Sequence, residues 1–167
     1  MSIVFTAPSF GSLYVGCKFA ADQVGLLRGN EIGHRVTAVE YHIPVPCEGV
    51  ADYDAPMESA FTGEMGIEKF IQQCFRVVTR LRQCNTLVYC WTGSHRSCLL
   101  VTGSLMLLTG QTALKCIEHV HACRRLSDFW SRHDKGWTGL EILRWAEPRM
   151  QWYAREPSSM SVVVACR

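Results

Sequence analysis

The sequence contains no long apolar run and no strong excess of charge of either sign. A helix that crosses a bilayer needs roughly 20 consecutive apolar residues, and the sequence has no run of that length. The formal net charge is only +2, which is too small to indicate a nucleic-acid surface. We therefore expect neither a membrane span nor a nucleic-acid partner.

The N-terminal segment also lacks the basic start and the continuous apolar core of a secretory signal. Nine cysteines would suggest a disulfide scaffold in a short secreted chain, but without such a signal we expect reduced thiols. The last of them, Cys166, is followed by a single residue, whereas prenylation requires a cysteine fourth from the end. We expect a cytoplasmic protein, with the nucleus as a second compartment.

The composition is that of one globular domain. With 48% hydrophobic and 19% charged residues in a chain of 167, a sizeable core is expected. No repeat or low-complexity tract interrupts the chain. We expect a single domain over residues 1–152, a flexible tail over residues 153–167, and a monomer or weak dimer.

Hydrophobic patterning predicts strands that alternate with helices. The predicted strands are Leu13–Val15, Val36–Val39, Tyr41–Val45 and Leu87–Tyr89. The predicted helices are Ala20–Leu27, Ile67 to near Asn85, Ser97–Leu108, a helix capped by Thr112 that reaches Arg125, and one that begins over Trp137–Trp145. This order predicts an α/β fold with a central, mainly parallel sheet flanked by helices. Ligands of such sheets bind beyond the carboxyl ends of the strands.

One segment, LVYCWTGSHRSCLL, runs from a predicted strand through a short polar loop into a predicted helix. The backbone N–H groups of such a loop can turn inward and bind an anion, and the helix N-terminus adds partial positive charge. Arg96 would add a planar fork of donors for two phosphate oxygens. The same positive surroundings lower the pKa of a cysteine at the start of the loop. Cys90 is therefore predicted to be a thiolate nucleophile that faces a bound phosphate.

The spacing of this cysteine and arginine is not specific by itself. Nine cysteines and 13 arginines give about 0.7 such pairs by chance, and Cys74 with Arg80 is a second pair. Those two lie in a predicted helix, whose backbone donors are already used. Requiring glycine third after the cysteine and serine after the arginine lowers the chance expectation to on the order of 0.004. Gly93, which permits a left-handed backbone, and Ser97, which can hydrogen-bond the thiolate, therefore make the segment specific.

The segment VYCWTGSHRSC resembles the signature loop of the cysteine-dependent protein phosphatases. Four other segments are similar to the dual-specificity branch, and together they cover most of residues 12–146. They are SLYVG, an Asp-containing loop before Phe70–Ile71, SLMLLTGQTALKCIEHVHACRR and DKGWTGLEIL. The resemblance, to a small atypical dual-specificity phosphatase, implies the protein-tyrosine-phosphatase-like fold. It also implies hydrolysis of phosphate monoesters on protein Tyr and/or Ser/Thr, with a phosphorylated protein as substrate.

The resemblance also implies a role for each residue of the loop. Cys90 would attack phosphorus to form a cysteinyl-phosphate, and Ser97 would stabilise the sulfur when it leaves. The implied phosphate-binding residues are Trp91, Thr92, Gly93, Ser94, His95 and Arg96. Neither a metal nor a cofactor is implied.

The resemblance places the general acid in the loop after the strand predicted to end near Val45. Counting back from Phe70–Ile71 puts Asp54 at the position of the acid. Asp52 is the alternative, and it could equally form a turn without any chemical role.

The segment departs from the family pattern at two positions. The family usually has histidine directly before the cysteine, where this chain has Tyr89, and that histidine orients the loop and keeps the thiol acidic. The absence of that histidine leaves open a weak or inactive pseudophosphatase that binds phosphate. A third alternative keeps the enzyme and changes its substrate to a phosphoinositide or to the 5′ phosphates of RNA. His95, where the family commonly has a small residue, would contact substrate or lie at the rim. Trp91 would line the pocket or act as a packing anchor.

Other cysteines and histidines suggest further sites. Cys116, His119 and Cys123 would share one helical face, from which His121 points away, and we expect core thiols there rather than a zinc site. Cys98 and Cys47 are candidates to trap an oxidised Cys90 as a disulfide, although buried structural thiols are the expected role for both.

Overall fold

The computed structural model of the protein describes residues 1–7, 9–40, 42–57, 63–130 and 138–156, without the side chains of residues 63–65. Five strands form one sheet with the order β1-β2-β5-β3-β4. They are β1 (Ser2–Phe5), β2 (Leu13–Cys17), β3 (Ile32–Thr37), β4 (Ala51–Asp54) and β5 (Asn85–Cys90). β1 runs antiparallel to β2, and the other neighbours are parallel. The predicted fold class, a mainly parallel sheet flanked by helices, is confirmed.

Six helices are found in the described parts of the chain. They are α1 (Lys18–Asp22), α2 (Val24–Gly29), α3 (Gly63–Leu81), α4 (Arg96–Thr109), α5 (Ala113–Cys123) and α6 (Gly139–Arg155). The hydroxyl of Thr112 accepts the backbone N–H of Lys115 and caps α5 as predicted. Thr138 and Glu141 form a reciprocal capping box at the start of α6. None of the helices in the described residues is long and apolar enough to cross a membrane.

The two faces of the sheet pack against different helices. Because side chains alternate along a strand, Val88 and Cys90 of β5 join the main core, which α3 to α6 cover. Leu87 and Tyr89 point the other way, into a smaller core with α1 and α2. In the main core α4 is buried without interruption from Ser97 to Leu107, so the signature segment leads directly into the centre of the domain.

The predicted strand Tyr41–Val45 was wrong, since residues 42–45 form no strand. The fourth strand is instead β4, within the segment that was predicted to be the loop of the general acid. Its sequence, ADYD, is mostly exposed, so it lacks the apolar alternation by which strands are recognised. Pairing with β3 holds it in the sheet. β1 was also missed, because it is short.

Other boundaries differ modestly from those predicted. The single helix predicted over Ala20–Leu27 is divided at Gln23, whose backbone is extended. α3 begins at Gly63, before the first residue of the apolar stripe, and α5 ends at Cys123. α6 continues to Arg155, beyond the domain boundary predicted at residue 152. Trp137 and residues 157–167 lie outside the described residues, so the flexible tail remains a prediction.

Candidate active site

The signature loop, residues 91–95, joins the carboxyl end of β5 to the first residue of α4. Cys90 is the last residue of the strand and Arg96 is the first residue of the helix, so both ends of the loop are fixed by regular structure. The pairing of β5 with β2 continues one residue beyond both strands, where the N–H of Lys18 donates to the carbonyl of Trp91 at 3.4 Å. The loop therefore lies beyond the carboxyl ends of the parallel strands, where a ligand was expected.

The carbonyl groups of the loop are held from outside by the segment that follows α5. The guanidinium of Arg124 donates to the carbonyls of Gly93 and Thr92. The N–H of Asp128 donates to the carbonyl of Ser94 at 2.8 Å. In a trans peptide the N–H points opposite to the carbonyl. Fixing these three carbonyls outward therefore turns the N–H groups that follow them toward the inside of the loop, where they can bind an anion.

Gly93 is required by its backbone and by its surroundings. Its φ of +71° lies in the left-handed region, which residues with a side chain rarely adopt. A Cβ atom there would lie 2.6 Å from the Arg124 guanidinium and from the backbone of Gly16. Even alanine would therefore displace the loop or the groups that hold it.

The sulfur of Cys90 is surrounded by hydrogen-bond donors. It is 3.2 Å from the hydroxyl of Ser97 and 3.2 Å from the N–H of Gly93. Burial of this thiol, which is 3% exposed, opposes its ionisation. Hydrogen bonds from the side chain and N–H of Ser97 and from the N–H groups of Gly93 and His95 outweigh burial and lower the pKa of Cys90 below its ordinary value. The surroundings thus favour the thiolate, the form that reacts as a nucleophile.

Arg96 is the cation nearest to Cys90 in the sequence of the loop. Its side chain is partly exposed and makes no hydrogen bond or ion pair with the residues that the structure describes. Its fork of N–H donors is thus available for the two oxygens of a phosphoryl group. The loop places Cys90 and Arg96 at its two ends, as the sequence predicted.

Asp52 and Asp54 have different environments, although only Tyr53 lies between them. Asp52 binds the fully buried guanidinium of Arg35 through both carboxylate oxygens, at 2.6 and 2.8 Å, so its role is structural. Asp54 ends β4 with an exposed side chain. Thr37 pairs with both Asp54 and Tyr89, which puts Asp54 two strand spacings, about 9.5 Å, from the residue before Cys90. The position favours Asp54 over Asp52 as the acid.

His95 and Trp91 have definite neighbours. The Nε2 atom of His95 lies 2.9 Å from a carboxylate oxygen of Asp128, so this histidine fastens the loop to the segment after α5. Trp91 is 50% exposed, and its ring lies edge-on to His42 at 5.8 Å and beneath the ammonium of Lys18 at 5.9 Å. Both residues are the end members of the loop, and their side chains remain candidates for contact with substrate.

The two cysteines proposed to trap Cys90 are placed differently. Cys98 is fully buried and close to Cys90; burial, with the negative charge of Cys90, raises the pKa of Cys98 to about 12. Cys47 belongs to the smaller core on the opposite side of the sheet. Of the two, only Cys98 is thus a neighbour of the candidate nucleophile.

The helix α5 carries the residues that had been weighed as zinc ligands. Cys116 is buried, whereas His119 contacts the carbonyl of Val4 at 2.6 Å and lies 3.9 Å from the sulfur of Cys123. Among the described residues, no group of three or more His, Cys, Asp or Glu side chains could hold a metal ion.

Sequence reasoning missed the outer support of the loop. Arg124 follows the last residue of α5, and its side chain donates to loop carbonyls. Asp128 had not been considered. Neither role has a local signal, because 31 residues separate Arg124 from Gly93 and 33 separate Asp128 from His95.

Comparisons with solved structures define the class of fold. The crystal structure of human DUSP28 is 21% identical, with a TM-score of 0.66, and the match covers 95% of this chain and 99% of that chain. The crystal structure of DUSP15 is also 21% identical, with a TM-score of 0.69, and covers 92% of this chain and 95% of that one. The chain therefore has the fold of the dual-specificity phosphatases within the protein-tyrosine-phosphatase class.

The comparison of sequences points to the same branch. Human dual specificity protein phosphatase 15 is 29% identical over 118 residues, which are 70% of this chain and 39% of that protein. The chain thus spans well under half the length of this curated relative. No family model matches the sequence. The relative and the solved structures confirm the resemblance to the small atypical dual-specificity phosphatases.

Proposed function

We propose that the protein is a cysteine-dependent phosphatase that hydrolyses phosphate monoesters on the Tyr and/or Ser/Thr side chains of proteins. The observation that carries the proposal is the thiol of Cys90, whose pKa is lowered at the base of a loop whose N–H groups face inward. A thiolate beside an anion-binding loop is suited to attack on bound phosphorus. The resemblance to the dual-specificity phosphatases supports the same reaction.

The first step forms a bond between the Cys90 sulfur and phosphorus. Loop N–H groups and the guanidinium of Arg96 bind the three equatorial oxygens, which carry the charge in the transition state. The bond from phosphorus to the substrate oxygen breaks, and that oxygen takes a proton from the carboxyl group of Asp54. The products of this step are a dephosphorylated side chain and a cysteinyl-phosphate.

The second step uses water as the nucleophile. The Asp54 carboxylate takes a proton from the water while the water oxygen forms a bond to phosphorus. The bond between sulfur and phosphorus breaks, inorganic phosphate is released, and the Cys90 thiolate is restored. The hydroxyl of Ser97, 3.2 Å from the sulfur, stabilises the charge that returns to it.

The proposal is tested by turnover of an aryl phosphate by the purified protein in the presence of a metal chelator. We expect turnover that vanadate inhibits, and its complete loss in Cys90→Ser. We expect Cys90→Ser to retain binding of a phosphate analogue. Phosphate binding without turnover by the unaltered protein would indicate the pseudophosphatase instead. Full activity of Cys90→Ser would exclude the mechanism.

The substrate class is tested with the active protein. We expect phosphotyrosine or phosphoserine/threonine peptides to be hydrolysed faster than phosphoinositides or a 5′-phosphorylated RNA oligonucleotide. The reverse order would assign the same chemistry to a different substrate.

A further inference from the structure

The inference concerns His42, a histidine with a buried side chain that contacts the residues on both sides of Cys90. Its side chain is 5% exposed. Its Nδ1 atom lies 2.9 Å from the hydroxyl of Tyr89, and its ring lies edge-on to the ring of Trp91. A single imidazole thus contacts the last residue before the nucleophile and the first residue after it.

The bond between His42 and Tyr89 forms in either charge state of the histidine. Burial raises the pKa of Tyr89 to about 12, so its hydroxyl keeps its proton at neutral pH. The Nδ1 atom of a neutral His42 ring accepts a hydrogen bond from this hydroxyl, and the N–H of a protonated ring donates one to the hydroxyl oxygen.

His42 is itself held from the far side of its ring. Its Nε2 atom lies 3.6 Å from the carboxylate of Asp22, which also binds the ammonium of Lys18 at 2.9 Å. The other oxygen of Asp22 accepts the N–H of Val45 at 3.1 Å, and the carbonyl of Val45 accepts from Arg35. The backbone three residues beyond His42 is therefore anchored by two charged side chains.

These contacts form a closed network around the start of the signature loop. Asp22 holds His42 and Lys18, and these two side chains both lie against Trp91. The network lies beside the smaller core, since Tyr89 points away from the face that contains Cys90. Its members therefore act on the backbone at Cys90 and do not touch the sulfur.

We propose that His42 is a positioning residue of the candidate active site, which fixes the backbone on both sides of Cys90 through Tyr89 and Trp91. In this role it supplies, from another segment of the chain, the imidazole that related phosphatases carry directly before the cysteine. The proposal rests on the proposed function for its meaning in catalysis. Its physical consequence is independent of turnover: the donors around Cys90 stay aligned with the sulfur only while this backbone is held.

The test is a double-mutant cycle read by the pH dependence of Cys90 alkylation with iodoacetamide. His42→Phe and Tyr89→Phe each keep a ring and remove one partner of the hydrogen bond. We expect each to raise the midpoint of alkylation by about half a pH unit, and the double variant to raise it no further. Tyr89→Phe removes a single oxygen atom, so it tests the bond even if His42→Phe does not fold.

The matched control is His34, a second buried histidine that lies edge-on to a tyrosine, with its ring 5.0 Å from Tyr53. It pairs with Thr86, four residues and about 13 Å along β5 from Cys90. We expect His34→Phe to reduce the thermal midpoint without moving the alkylation midpoint.

Three results would overturn the proposal: unchanged midpoints in the single variants, shifts that add in the double variant, or an equal shift in His34→Phe. Alkylation does not require turnover, so the test separates this proposal from the proposed function. An inactive protein whose Cys90 midpoint still depends on His42 would refute the function and support the positioning role.

Discussion

Two segments of this chain contain cysteine and arginine at the same spacing, and only one has the geometry of a site. Cys74 and Arg80 lie within α3, where burial raises the pKa of the Cys74 thiol well above its ordinary value. Cys90 and Arg96 bracket the signature loop, where the thiol pKa is lowered. Cys90 is also buried, so burial alone does not decide the charge of a thiol. The difference lies in where the backbone N–H groups point.

In α3 each backbone N–H in the helix interior is bonded to a carbonyl one turn earlier. The sulfur of Cys74 is itself a donor, to the carbonyl of Leu100 at 3.8 Å, and the guanidinium of Arg80 stacks on the ring of Tyr53 at 3.8 Å. In the signature loop the N–H groups of Gly93 and His95 are directed to Cys90. The same residue types therefore form a packing contact in one backbone and an anion site in the other.

The largest difference between the two segments is expected when the arginine of each is replaced by lysine. Arg96→Lys keeps the positive charge but loses planar, two-point binding of phosphate, so we expect kcat to fall by about 10³-fold. Arg80→Lys is the matched control and should leave kcat unchanged. Both are measured on an aryl phosphate at saturating concentration. Near-normal turnover by Arg96→Lys would mean that the loop is not the active site.

The general acid is tested by comparing two leaving groups. Asp54→Asn should slow an alkyl phosphate, whose oxygen needs a proton to leave, by about 10²–10⁴-fold. An activated aryl phosphate should be slowed far less.

Asp52→Asn is the matched control for this prediction. It should lower the free energy of unfolding by about 3 kcal/mol, because the buried charge of Arg35 loses its partner, and it should affect both substrates alike. If Asp52→Asn instead produced the leaving-group difference, the assignment would be off by two residues. If neither variant did, the acid would lie outside this segment.

The backbone of the loop is tested at Gly93. Alanine there would clash with Gly16 and Arg124, so we expect kcat to fall by about 100-fold, as for a catalytic group displaced by about 1 Å. Gly110 is the control, because it also has a positive φ, +66°, but a Cβ there meets only ordinary contact. Gly110→Ala should lower the thermal midpoint and leave kcat intact. Equal losses of kcat in the two variants would show that Gly93 has no special role.

The smallest effect is expected at Tyr89. Tyr89→His restores the residue that the family usually has, and we expect a gain in kcat or a lower alkylation midpoint of Cys90. The change in kcat should be only about threefold, because one hydrogen-bonding group replaces another. Unchanged kcat and an unchanged pH dependence of alkylation would contradict this prediction and show that tyrosine and histidine serve the thiolate equally well at this position.

The parts of the site that were predicted are those with a local signal. Cys90, Gly93, Arg96 and Ser97 are close in sequence, so a strand, a loop and a helix suffice to bring them together. The helix α3 was predicted for the same reason, since its apolar stripe repeats with the helical period.

The parts that were not predicted depend on contacts between distant residues. β4 is polar and exposed, and it is held by pairing with β3 and by the bond between Asp52 and Arg35, 17 residues apart. His42 was assigned to a strand, although 47 residues separate it from the Tyr89 hydroxyl that it binds. No periodicity in a single sequence reports such pairs, because they depend on how the sheet is assembled.

The most direct test of the account is the reactivity of these two thiols in one folded protein. Alkylation by iodoacetamide at a series of pH values, followed by mass spectrometry of the peptides, gives the pH dependence of each. We predict that Cys90 reacts with a midpoint below its ordinary value of 9.0 and that Cys74 is protected until the protein unfolds. A Cys90 midpoint at or above 9.0, or reaction of Cys74 alongside it, would contradict the claim that the loop backbone makes Cys90 a thiolate.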